Sequence, residues 1–162
     1  MREHSNKVRV ICLDRENSAR SQMAEAFLRH LDSERFEVCS GGIEPLDIHP
    51  LTRQVMTEIG VPLLDQAGKS AQLYFGKEAF QVAIMISHPD EKENPRLFPG
   101  ALRVERWPNE DPLASKLDET ARLDLFRRVR DRIQVQAQTW ITAQKDAETG
   151  VFSAKRMMAG AH

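Results

Sequence analysis

Cysteine is scarce in this 162-residue chain, which carries only Cys12 and Cys39. Two thiols cannot knit a disulfide scaffold, and their scarcity points to a reducing, cytoplasmic setting. Neither belongs to a CxxC pair and the five histidines form no HxxxH pair, so a zinc site of either kind is not expected. Charge of one sign is not in excess either. The 23 basic and 24 acidic residues leave a formal charge of −1, which argues against a general nucleic-acid binder. No apolar run approaches the ~18 residues that span a bilayer, and no signal-peptide pattern opens the chain. Neither nucleic acid nor membrane is expected as a partner, and no metal or cofactor is implied. Internal repeats and low-complexity tracts are also lacking.

What is present fits one domain with a well-buried core: 41% of residues are hydrophobic and 29% charged. Val8–Leu13 is β-branched and apolar, as a buried strand should be. After the polar stretch 14–20, Met23, Ala24, Phe27, Leu28 and Leu31 recur at helical steps. Phe36–Ser40 predicts a second strand, ended by Gly41-Gly42. Pro50 then opens a helix with Leu51, Val55, Met56 and Ile59 on one face, and Gly60 closes it. Gln81–Ile86 predicts a third strand and Ala101–Glu105 a fourth, alternating one at an edge. From Glu119 to Lys145 a long helix turns Phe126, Val129, Ile133, Ala137, Trp140 and Ile141 inward, leaving Arg127, Arg128, Arg130 and Arg132 on a solvated face. Residues 1–145 form the domain, and 146–162 form a tail that is frayed or loosely docked beyond Gly150.

Strands alternating with helices imply βαβ units: a three-layer α/β fold whose four-stranded parallel sheet has helices on both faces. In such sheets ligands bind at the carboxyl ends of the strands, which singles out the first loop. It reads Asp14-Arg15-Glu16-Asn17-Ser18-Ala19-Arg20-Ser21. A loop feeding a helix N-terminus gathers unpaired N–H groups at one spot, with the helix dipole behind them. Arg20 can fork two bonds onto a tetrahedral oxyanion. Asn17 can lock the loop by bonding its own backbone, and Ser21 can cap the helix or bond residue 14. The pattern alone fits either an anion site or an ordinary capped βα loop.

Three separated blocks narrow the choice: Asn17-Ser-Ala-Arg-Ser-Gln-Met-Ala-Glu-Ala-Phe27, Cys39-Ser-Gly-Gly-Ile-Glu-Pro45 and Trp107-Pro-Asn-Glu-Asp-Pro112. Together they resemble the low-molecular-weight protein tyrosine phosphatase superfamily, most like its thioredoxin-coupled arsenate reductase branch. The resemblance runs from about Lys7 to Gln144, and Phe126–Ile133 is similar to that branch's last helix. It implies a phosphatase-like fold in which residues 15–21 form the oxyanion loop and Arg20 binds the anion. Asn17 and Ser21 would shape the loop, and Asp111 would be a general acid on a mobile loop.

The resemblance also implies a nucleophilic cysteine where this chain has Asp14, and two relay cysteines where it has Ser87 and Asn94. Cys12 lies two residues upstream, roughly 6–7 Å away along a strand, and should be a buried apolar residue. Cys39 belongs to the second strand, away from the loop. Thiol-relay arsenate reduction is therefore not expected. A carboxylate in the nest would be its own anion. Asp14 is expected to accept bonds from Arg20, Ser21 and the loop amides, with a depressed pKa. Like charge would then disfavour phosphate by on the order of a few kcal/mol. Arg15 should point outward. The expected protein is an inactive or altered anion-binding or regulatory module for a phosphate-like oxyanion or a phosphorylated ligand. The alternative is a phosphate-monoester hydrolase with Asp14 as nucleophile and Asp111 as acid. Such chemistry usually needs Mg²⁺, for which Asp14, Glu16 and Asp111 are the nearby carboxylates.

Overall fold

The computed structural model describes residues 6–91, 100–114 and 116–159, with 149–159 by their backbone alone. Four strands, β1 (Val8–Asp14), β2 (Phe36–Gly42), β3 (Phe80–Met85) and β4 (Ala101–Arg106), form one sheet in the order β2-β1-β3-β4. All three pairings are parallel, so β1 is central and β4 an edge, as its alternating sequence predicts. The helices are α1 (Arg20–Asp32), α2 (Pro50–Glu58) and α3 (Glu119–Ala159).

The period-2 alternation of the strands divides the core. Val10 and Cys12 of β1, Val38 of β2, and Val82 and Ile84 of β3 join the large cluster under α1, α2 and α3. Ile11, Leu13, Ala83 and Met85 point to the other face, where a 3-10 turn at Ala71–Leu73 and the ring of Tyr74 cover a smaller cluster. The helical residues singled out by periodicity (Met23, Phe27 and Leu28 in α1, Val55 and Met56 in α2, Phe126 and Ile133 in α3) are all buried. Removing each large side chain from water contributes about 1.5–3 kcal/mol. Trp140 of α3 stacks at 5.1 Å on Phe36 and at 6.5 Å on Trp107. That pair of contacts anchors the chain leaving β4 and so fixes where residues 108–112 begin.

Two expected boundaries shift, and one expected surface residue is buried. The second strand runs through its glycines, pairing Leu13 with Gly41 and Asp14 with Gly42. A side chain at 42 would come within 2.8 Å of the Asn17 nitrogen, so a bare backbone here lets the first loop lie against β2. The final helix continues through Ala159, past its expected end at Lys145. Arg130 is not on a solvated face. It is buried, donates to the Val55 carbonyl at 2.9 Å and approaches Glu58 at 3.5 Å, tying α3 to α2. Arg127 pairs with the same Glu58 at 2.8 Å. The sequence period could not separate Arg130 from its neighbours, because only the docking of α2 supplies the carbonyl and carboxylate it meets.

Candidate active site and oxyanion loop

The loop between β1 and α1 sits at the carboxyl end of the central strand, where a parallel sheet places its ligand. Asn17 holds its shape with φ at +52°, a left-handed conformation that asparagine tolerates better than most residues. Its side chain does not bond its own backbone as expected. The amide nitrogen donates to Ser21 Oγ at 2.7 Å and Ser40 Oγ at 2.9 Å. The amide oxygen accepts from Gln22 Nε2 and from the Lys69 backbone N–H, each at 2.9 Å. Four buried bonds therefore tie the loop to α1, to β2 and to the segment before the 3-10 turn. Ser18 Oγ donates to the Asp47 carbonyl at 2.8 Å, while the Ser18 carbonyl accepts from His49 N and Thr52 Oγ1. Ala19 stands at the helix N-cap without a capping side chain.

Asp14 supplies the missing cap from a distance. Its Oδ1 accepts the Asn17 N–H at 2.7 Å and its Oδ2 the Ser21 N–H at 2.9 Å. The backbone N–H groups of Ser18 and Ala19 donate no hydrogen bond among the described residues. Two of the loop amides are therefore satisfied internally by the Asp14 carboxylate, and two are left over.

Arg20 does not bond Asp14. Its guanidinium, 1% exposed, forks onto Glu91: Nη1 pairs with Oε1 and Nη2 with Oε2, the latter at 3.2 Å. Nη1 also donates to the Asn109 carbonyl at 3.2 Å, and Nη2 lies 3.7 Å from Asp111 Oδ2. Asp111 uses its Oδ1 to accept Leu113 N–H at 3.0 Å, which closes a turn at Asp-Pro. Glu91 is held by a tight turn of its own, its N–H donating to the His88 carbonyl while Oε1 accepts the His88 N–H at 2.8 Å. Over these groups opens a cleft of about 410 Å³ lined by His88, Asp90, Glu91, Glu110, Asp111, Ala114 and Leu117.

Burial raises the pKa of Asp14, against the opposing pull of Arg20 and of the Ser21 and Asn17 bonds, so the expected depression is corrected in sign. Desolvation of the buried carboxyl outweighs the Arg20 charge and the two amide donors together. Glu16 is raised by partial burial and by Asp111 and Asp14 nearby. Glu91 is lowered: burial opposes its charge, but the Arg20 bond, the His88 amide and the arginine's charge overcome that penalty. A carbon-13 titration of the carboxyl groups is therefore expected to place Asp14 above the ordinary ~3.9 and Glu91 below the ordinary ~4.3. The linkage to stability has opposite signs. Asp14 favours the folded state below its unfolded pKa and loses that contribution as pH rises through its folded pKa. Glu91 stabilises above its unfolded pKa, and its contribution disappears as pH falls through its folded pKa. Titrations in the reverse order would contradict the assigned contacts.

Arg15 points outward as expected, 3.5 Å from Glu44 and 4.0 Å from Glu16. Asp14, Arg20 and Asp111 converge, and Glu16 lies close enough to feel their charge. Among the described residues no group of three or more His, Cys, Asp or Glu side chains could hold a metal ion, so the three carboxylates considered for Mg²⁺ are not gathered as ligands. Ser87 is buried beyond the end of β3, and Asn94 lies outside the described residues. Cys12 is fully buried in the main core with its thiol pKa pushed well up by burial. Cys39 is paired in register with Ile11, not with the loop, and burial pushes its thiol up to about 12. No helix among the described residues is long and apolar enough to cross a membrane.

The contribution of Glu91 was invisible in the sequence. It sits in Ser87-His-Pro-Asp-Glu-Lys-Glu-Asn94, a charged run without period, and only the return of the chain after β3 brings it over α1. Ser40 and Asn109 were missed for the same reason, being brought in by β2 and by the exit from β4.

Residues 7–149 match the family of the low molecular weight phosphotyrosine protein phosphatases. The arsenate reductase of Shouchella clausii is 32% identical over 134 residues, covering 83% of this chain and 91% of that protein. The glutaredoxin arsenate reductase of Synechocystis is 29% identical over 140 residues, covering 83% and 95%. Among solved structures, an arsenate reductase in a phosphate-binding state superposes with a TM-score of 0.69 at 26% identity, covering 84% of this chain and 98% of the other. The parallel sheet, the loop at its carboxyl edge and these likenesses agree: the chain belongs to the low molecular weight phosphotyrosine protein phosphatase family, on the side of its arsenate reductases.

Proposed function

We propose that this protein has left the thiol chemistry of its family and serves, in a reducing cytoplasm, as an anion-responsive binding or regulatory module. The observation that carries the reading is the Asp14 carboxylate seated on the Asn17 and Ser21 N–H groups, where the family resemblance calls for a nucleophilic thiolate. Both of the chain's cysteines are elsewhere and held protonated by burial, so neither offers a thiolate near neutral pH. The oxyanion loop keeps Arg20 and the Ser18 and Ala19 N–H groups, which donate to nothing among the described residues. A phosphate-like oxyanion or a phosphorylated ligand is the matching chemistry.

A second reading, a phosphate-monoester hydrolase with Asp14 as nucleophile and Asp111 as general acid, draws on the place of Asp111 in the same cleft, 3.7 Å from Arg20. Against it, both Asp14 oxygens already accept N–H bonds and the residue is only 3% exposed. Assays with an aryl phosphate and with arsenate plus thiol, with and without Mg²⁺, separate the two. The expected outcome is no turnover, together with a small rise in melting temperature from phosphate or vanadate that Arg20→Lys removes. Turnover abolished by Asp14→Asn would establish the second reading instead.

A further inference from the structure

The fork of Arg20 onto Glu91 is the geometry by which an arginine holds a phosphate: two parallel N–H groups on two oxygens of one anion. One guanidinium cannot present the same pair of Nη groups to Glu91 and to an incoming oxyanion. We infer that Glu91 is an internal ligand of the oxyanion loop, so that a tetrahedral anion enters this site only by exchanging with the Glu91 carboxylate. The inference rests on the reading of residues 14–20 as an oxyanion loop and adds what sets its affinity.

Three features single out Glu91 among the nearby carboxylates. Asp14 is committed to the amides of Asn17 and Ser21. Asp111 reaches Arg20 only by one oxygen at 3.7 Å, its other oxygen being held by Leu113 N–H. Among the described residues Glu91 alone covers both Nη groups, and it does so from the wall of an open cleft, with its side chain 15% exposed. Its turn is closed by the backbone bond from Glu91 N–H to the His88 carbonyl, which a rotation of the side chain into the cleft would leave intact. Exchange therefore costs the Arg20 fork and the His88 N–H contact, and an oxyanion on the loop restores the fork and can take the Ser18 and Ala19 N–H groups as further donors. Glu91 acts on the ligand through Arg20 and is a specificity-determining residue rather than a catalytic one.

The experiment measures inorganic phosphate binding by calorimetry at neutral pH and low salt, with orthovanadate as a second probe. The proteins are the full chain, Glu91→Gln, Glu91→Ala as a second variant in case one folds poorly, Asp14→Ser, Asp14→Ser combined with Glu91→Gln, and Glu91→Gln combined with Arg20→Lys. Glu91→Gln and Glu91→Ala are expected to bind phosphate at least tenfold more tightly than the full chain. Adding Arg20→Lys is expected to erase that gain, because a lysine cannot reproduce the fork. A gain in Asp14→Ser with none in either Glu91 variant overturns the inference, since Asp14 is then the blocking anion, while the oxyanion-loop reading stands. No phosphate binding by any variant, including Asp14→Ser combined with Glu91→Gln, overturns both.

Discussion

Replacing Asn17 with alanine lowers the melting temperature by roughly 10 °C. The side chain makes four buried hydrogen bonds, to Ser21, Ser40, Gln22 and the Lys69 N–H. Its loss takes the acceptor from the Lys69 N–H and the donor from the Ser21 and Ser40 hydroxyls, while Gln22 keeps the Asn17 and Ala67 carbonyls, at a cost of about 3 kcal/mol. Alanine at φ +52° adds about 1 kcal/mol of backbone strain. In a domain of this size each kcal/mol corresponds to about 2–4 °C. Calorimetric melting checks the value, and Asn17→Gly divides it: glycine relieves the strain but not the lost bonds, so it should recover only about a quarter of the loss. A change of under ~2 °C for Asn17→Ala would mean that the loop is held by something other than this network.

The second large effect is chemical. Asp14→Cys is expected to create one thiol that iodoacetamide modifies at pH 7 at least tenfold faster than Cys12 or Cys39. The reason lies in the site rather than the residue. A thiolate at position 14 meets the N–H groups of Asn17 and Ser21, the helix N-terminus and the charge of Arg20, all of which oppose the burial that raises Asp14 and favour a thiolate. The native thiols have none of these. Burial raises both, and the bond between Cys39 and Tyr74 together with nearby Lys69 does not offset it. Peptide mapping of the labelled protein reads the result directly. Equal labelling at positions 14, 12 and 39, or none at 14, would show that the loop does not stabilise an anion at its centre.

These two effects separate what was legible in the chain from what was not. Asn17 stood out as a shaping residue, but its partners did not, because Ser40 is 23 residues away and Lys69 is 52. Likewise Asp14 was readable as a carboxylate in an amide nest, and the nest exists. The pairing with Arg20 was not realised, since the arginine meets Glu91 from a segment 71 residues distant. Burial of the carboxyl outweighs the charge of Arg20 and the amide bonds together, which is why the pKa of Asp14 moves up rather than down. The helices and strands were legible because each buries a face whose period is written locally: Met23, Phe27 and Leu28 on α1, Val10 and Cys12 on β1. Arg130 defied its own helix for the opposite reason, its surroundings being built by α2.

The sequence by itself determined the sheet and its helices, the membership of the chain in its phosphatase family, the loop from Asp14 to Ser21, and the absence of any cysteine from that loop. These follow from hydrophobic period, turn chemistry and residue identity, which are local properties. Only the tertiary structure decided which carboxylate answers Arg20. Ion pairing depends on distance in space, and Asp14, Glu91 and Asp111 are indistinguishable as charges until the fold sets one on the backbone amides, one on the guanidinium and one at its margin.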